Sequence, residues 1–170
     1  MNESLIIARV LHILFGVFWA GTLMFNALYL GPSLREAGPD GAKVMGGLMK
    51  RRFVDVMPSV ALVNVLSGLY LYWRASVGFQ PSYMGSPVGM AYGLGMVAAI
   101  VGLLVGVGVI RPALLRIAAL GPSVATAAPA DTDAILGEMQ ALRVRAGRAG
   151  DAVAWLLGLT VVTMAVARYL

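Results

Sequence analysis

One residue carries most of the chemistry open to this chain. Among 170 residues there are no cysteines and a single histidine, His12. No disulfide, zinc–thiolate site, iron–sulfur cluster or bis-histidine centre can be built from such a chain by itself. Arg9, His12, Gly16, Trp19, Leu23 and Asn26 follow helical spacing and share one face. Three uses of His12 stay open on that face: a hydrogen bond within a helix interface, axial ligation of a haem iron, and proton handling or copper binding. For a b-type haem, Gly16 would relieve crowding beside the macrocycle, with Trp19 on the same face. Arg9, Arg74 and Arg168 fall toward one end, where they could pair with propionates. The sixth ligand would be Met96 or Met164, at similar depth, unless the iron is five-coordinate. Methionines in apolar segments are far more often packing material.

The elements that position these residues are membrane spans. Hydrophobic residues make up 59% of the chain and charged ones 12%, with a mean hydropathy of +0.83. Soluble domains run near one-quarter charged, and disordered chains are still more polar. A crossing helix needs ~20 mainly apolar residues. Four stretches qualify, at about residues 5–30, 56–73, 88–110 and 152–170. None alternates polar and apolar as a barrel strand does, and unpaired amides are excluded from hydrocarbon. The expected fold is therefore an all-α integral membrane protein: one domain over residues 1–170, a four-transmembrane-helix bundle with helices extending into the cytoplasm.

Charge sets the orientation. Arg35, Lys43, Lys50, Arg51 and Arg52 lie in the connection 31–55; Arg111, Arg116, Arg143, Arg145 and Arg148 lie in the connection 111–151. Only Arg9, Arg74 and Arg168 lie elsewhere. The positive-inside rule places both longer connections in the cytoplasm and both termini outside, in a bacterial-type inner membrane. The basic excess is thus a topology code, and no nucleic acid is expected as partner. Span one is too long for a signal-peptide core and starts without a basic n-region, so it is read as retained.

The connections have their own signals. Thr132 is placed to cap a helix through Asp133–Gly150 that runs into span four. Lys43–Asp55 reads as an extension of span two, in which case Pro58 should kink it. Ser33 and Glu36 have capping-box spacing, but Gly38 and Pro39 limit that helix to a turn. Residues 121–130 read as a flexible linker. Leu30-Gly31-Pro32-Ser33 is echoed by Leu120-Gly121-Pro122-Ser123, and Arg52-x-x-Asp55 by Arg148-x-x-Asp151. The matches lie 90 and 96 residues apart and suggest two related hairpins. Arg52 with Asp55, and Arg148 with Asp151, read as ion pairs on one helix face at the membrane interface. Gly95, Ala99, Gly102 and Gly106 form a flat stripe for close helix approach.

The first 73 residues resemble a known family. Leu11-His12 with Trp19-x-Gly21, Met49-Lys50-Arg51-Arg52 entering span two and Ser67-Gly68 near its end are similar to copper-resistance-D-like membrane domains and HemJ-type protoporphyrinogen oxidases. The resemblance implies a b-type haem with its ligand at His12, and a redox or tetrapyrrole-related role. The further histidine and lysine that HemJ-type proteins carry around span three are missing from MAYGLGMVAAIVGLLVGV. The expectation is therefore a membrane protein of this type without the oxidase's catalytic set. The alternatives are a non-catalytic structural accessory subunit of a larger respiratory or photosynthetic complex, and a small transporter. Expected partners are the lipid bilayer and a homo-oligomer or larger membrane complex.

Overall fold

A computed structural model describes residues 3–124 and 126–170. Helices account for nearly all of them, and the described residues contain no strand. Four helices are long and apolar enough to cross a membrane, as the sequence requires.

The first is α1 (Glu3–Phe25), which continues through a π-turn at Asn26–Leu30 into α2 (Gly31–Glu36). A short helix, α3 (Pro39–Lys50), leads to the second span, α4 (Phe53–Ala75). A single turn, α5 (Pro81–Met84), precedes the third span, α6 (Pro87–Val105). That span passes through a second π-turn at Gly106–Ile110 into α7 (Arg111–Val124). The fourth, α8 (Pro129–Ala167), is one unbroken helix of 39 residues.

Packing follows chain order: α1 lies against α4, α4 against α6, α6 against α8, and α8 against α1. This is the up-down-up-down arrangement of a four-helix bundle. Its core gathers Trp19, Ala20, Met57, Val60, Ala61, Ala99, Val153 and Leu157 from all four spans. Large apolar side chains such as Leu14, Val17, Leu66, Leu104 and Val162 point outward, as they do where lipid is the solvent.

Several local expectations are corrected. Lys43–Asp55 does not extend span two: Arg52 adopts a left-handed conformation (φ 59°) and divides α3 from α4. Pro58 consequently falls only six residues into α4. The helix after Pro32 is a direct continuation of span one rather than an isolated turn. The linker expected over 121–130 is mostly helix. α7 runs through Gly121 and Pro122 to Val124, and α8 begins at Pro129, three residues ahead of Thr132. Thr132 accordingly bonds back to the Ala128 carbonyl instead of capping. Residue 125 of that linker lies outside the described residues.

Both π-turns share one cause. Pro32 and Pro112 have no amide to give the carbonyls of Leu28 and Gly108, so the chain takes an i→i−5 register just before each proline. Gly31 N–H reaches the Asn26 carbonyl, and Arg111 N–H reaches that of Gly106. The two turns sit at the same end of the two parallel spans, 80 residues apart. The structural correspondence between the hairpins is thus set by Pro32 and Pro112. Gly121-Pro122, the sequence echo of Gly31-Pro32, lies further along, inside α7.

Candidate functional site

His12 is seated in the α1–α4 interface. Its Nδ1 lies 2.9 Å from the backbone carbonyl of Asn64. A carbonyl only accepts, so Nδ1 carries the proton and donates; in the neutral ring Nε2 then keeps its lone pair. The ring rests on Gly68: a methyl added there would lie 2.6 Å from Cε1 and 2.9 Å from Nδ1 of His12. One turn away the relation is reversed. A methyl on Gly16 would lie 2.9 Å from Oδ1 of Asn64. Each helix therefore offers a polar side chain and a glycine four residues apart, His12/Gly16 on α1 and Asn64/Gly68 on α4. The two pairs interlock.

Asn64 is the structural centre of this contact. It is 6% exposed and stands eleven residues from either end of α4. At ~1.5 Å per residue the contact falls at mid-span. The Asn64 carbonyl also receives the Ser67 hydroxyl at 3.0 Å. Among the described residues its side-chain Oδ1 is buried without a hydrogen-bond partner. The Gly16 Cα faces that oxygen, a place for a weak C–H···O contact.

The remaining predicted site residues are dispersed. Trp19 is core, 4% exposed, with its ring edge over Gly102. Met164 packs on Gly95 in the α6–α8 interface beside Thr163, while Thr160 donates to the Leu156 carbonyl and reaches that of Gly95. Met96 is half-buried on α6. Among the described residues neither methionine sulfur hydrogen-bonds to His12. Arg9 is exposed, Arg74 lies 6.0 Å from the Trp73 ring, and Arg168 lies 5.2 Å from the Tyr169 ring. The same end carries an aromatic cluster. Tyr72 donates to the Gly89 carbonyl and packs edge-on against Tyr83. Partial burial, then Tyr92 and Tyr72, raise the Tyr83 phenol above its ordinary range.

These placements bear on how a haem could meet His12. Gly16 faces Asn64 and Gly68 faces His12, so neither leaves a cradle for a macrocycle. His12 and Met164 lie in different helix pairs. The residues as arranged do not enclose a haem, although the Nε2 lone pair suits a single ligand bond. Among the described residues no three His, Cys, Asp or Glu side chains gather as a metal site.

At the basic end the ion pairs differ from those expected. Asp55 does not pair with Arg52; its carboxylate receives Arg111 at 2.9 Å, joining α4 to the start of α7. Arg148 and Asp151 are exposed and form no ion pair among the described residues. Arg116 on α7 instead grips Glu138 on α8 with two bonds, 2.8 and 3.3 Å. That hydrogen bond lowers the Glu138 carboxyl below its usual range and raises the Arg116 guanidinium.

Sequence reasoning missed Asn64 and Gly68 as partners of His12. The readable signal was a polar residue and a glycine four apart on both facing helices. It also missed a seven-residue rhythm: Met139, Ala146, Val153, Thr160 and Ala167 are all buried. Comparison with known proteins adds no identity: no family model, curated protein or solved structure matches the chain.

Proposed function

We propose that this protein is a structural accessory subunit of a larger inner-membrane assembly, with both termini outside and the basic connections in the cytoplasm. One observation carries the reading. The polar and small residues inside the bundle are engaged with one another: His12 with Asn64 and Gly68, Gly16 with Asn64, Gly95 with Thr163 and Met164, Gly102 with Trp19 and Val153. Such contacts serve helix association in lipid. The surfaces left for a protein partner are external, chiefly the α7–α8 hairpin that projects on the basic side.

A specific observation favours a second reading, the copper-resistance-D/HemJ-like one. The Nδ1–H of His12 is held by a backbone carbonyl, the arrangement that orients imidazole ligands and leaves Nε2 free to bind. In that role His12 would supply this chain's one imidazole nitrogen to a haem iron or copper, with the rest of the site formed outside the α1–α4 interface, and the bound group would supply the redox chemistry. The test separates the two. The protein is purified in mild detergent from haem-replete cells, and its reduced-minus-oxidised spectrum is recorded together with its co-purifying chains. Large partners in fixed stoichiometry, unaffected by His12→Ala, support the accessory role. A b-type spectrum that His12→Ala abolishes supports the second reading and sinks the first.

A further inference from the structure

The basic end of the bundle contains a cleft that the contacts above do not fill. It has a volume of about 70 Å³ and is walled by all four spans, with Trp19, Met57, Gly102, Gly106, Ile110 and Arg111 among its lining. Three features define it. Its wall is apolar from Trp19 down to Ile110. The π-turn at Gly106–Ile110 forms one side, and a methyl on Gly106 would meet nothing within 4 Å, so the side chain missing there is part of the opening. At its lower edge stands Arg111. That guanidinium gives one bond to Asp55 yet stays 41% exposed, so further donors of its five face outward.

An apolar slot ending in a partly free guanidinium at the level where the span begins has the chemistry of a lipid site. Acyl chains run along the spans, and their phosphates lie where Arg111 lies. Basic pockets between transmembrane helices on the cytoplasmic side take anionic headgroups in this way. We propose that the cleft seats part of an acyl chain of an anionic phospholipid, with Arg111 as the phosphate donor. The cleft is far below the ~300–1,000 Å³ of small-molecule pockets, which matches a few methylenes and not a whole soluble ligand. Asp55 acts as an internal competitor. It occupies one edge of Arg111 when no phosphate is present, and it limits the affinity.

The test is native mass spectrometry of the full chain in detergent micelles, with phosphatidylglycerol and phosphatidylcholine of identical acyl chains. Phosphatidylglycerol should be retained roughly fivefold more than phosphatidylcholine. Arg111→Gln should remove the preference. Because that variant leaves Asp55 alone, the double change Arg111→Gln with Asp55→Asn is measured beside it and should behave the same way. Asp55→Asn by itself should raise phosphatidylglycerol retention, an outcome no general loss of folding produces. Gly106→Leu should lower retention of both lipids by filling the slot, whereas Gly108→Leu, in the same π-turn but outside the cleft, should not. Equal retention of the two lipids would overturn the proposal. So would displacement by millimolar inorganic phosphate, which would mark a soluble-anion site. A phosphatidylglycerol preference that survives Arg111→Gln would also overturn it, as would retention of both lipids unchanged by Gly106→Leu.

Discussion

Gly68 and Gly16 owe their identity to what faces them. A Cβ added at either would come too close to a side chain of the opposite helix, 2.6 Å from His12 Cε1 at Gly68 and 2.9 Å from Asn64 Oδ1 at Gly16. Gly68→Ala and Gly16→Ala should each destabilise the protein by ~1–3 kcal/mol, the usual cost of overpacking. Gly21→Ala, where a methyl meets open space, should be neutral or stabilise by up to ~1 kcal/mol through helix propensity. Thermal unfolding in detergent checks this; equal effects at positions 68 and 21 would refute the interlock. Asn64→Leu tests the orphaned oxygen. Replacing a buried polar group by an apolar one of similar shape is nearly neutral when no partner is stranded, and here the side-chain oxygen has none. A loss above ~2 kcal/mol would mean that this oxygen makes a bond worth the usual net value or more. At this scale the sequence announced His12 and hid its partner. A histidine in an apolar run stands out by composition. The backbone carbonyl that receives it belongs to no residue type and leaves no mark in the text.

Among the elements, α7 and the N-terminal half of α8 form an antiparallel hairpin tied by Arg116 and Glu138. The sign of its pH response follows from the carboxyl. Glu138 is held below its ordinary range by Arg116. Its contribution is therefore present above the unfolded-state value and is lost as pH falls through the lowered, folded-state value. Amide protection factors along α7, taken relative to the intrinsic exchange rate at each pH, should fall on acidification in the wild type. In Arg116→Ala they should be lower already at neutral pH and less sensitive to acid; an unchanged acid response would remove the pair from the account. The break at Arg52 gives a second element-scale prediction. A non-glycine residue at φ 59° carries strain, so Arg52→Gly should raise the melting temperature, by an amount corresponding to ~1 kcal/mol. The four spans were legible because ~20 apolar residues have few other fates. The α3–α4 break and the π-turns were not. They arise from backbone register near single residues, Arg52, Pro32 and Pro112, and hydropathy does not register such displacements.

For the whole molecule, the charge code and the bundle make one joint prediction. Single cysteines at positions 80 and 126 lie at opposite ends of the bundle, between α4 and α5 and between α7 and α8. A membrane-impermeant thiol reagent applied to intact cells should label position 80 and spare position 126. The reverse pattern would invert the orientation. The echo of one hairpin in the other was also partly legible. The recurring Gly-Pro pointed to the right architecture through the wrong pair of prolines, because Pro112 follows an arginine and Pro122 a glycine. The structural equivalence is read from the π-turns, which depend on where the missing amide falls and not on its neighbour.

One contrast at the membrane boundary has a mechanical side. The α6–α7 arm is jointed there by its π-turn and Pro112, while α8 crosses the same level as a single helix about 58 Å long, nearly twice the ~30 Å of hydrocarbon. One seam of buried residues, from Met139 to Ala167, runs along all but its first ten residues. A force applied to the tip of the hairpin is thus carried by an uninterrupted strut on one side and absorbed by a knuckle on the other. The strut delivers that force past Thr160 to Ala167, at the far end of the bundle. A partner that tugs on the hairpin from the water would be felt across the bilayer.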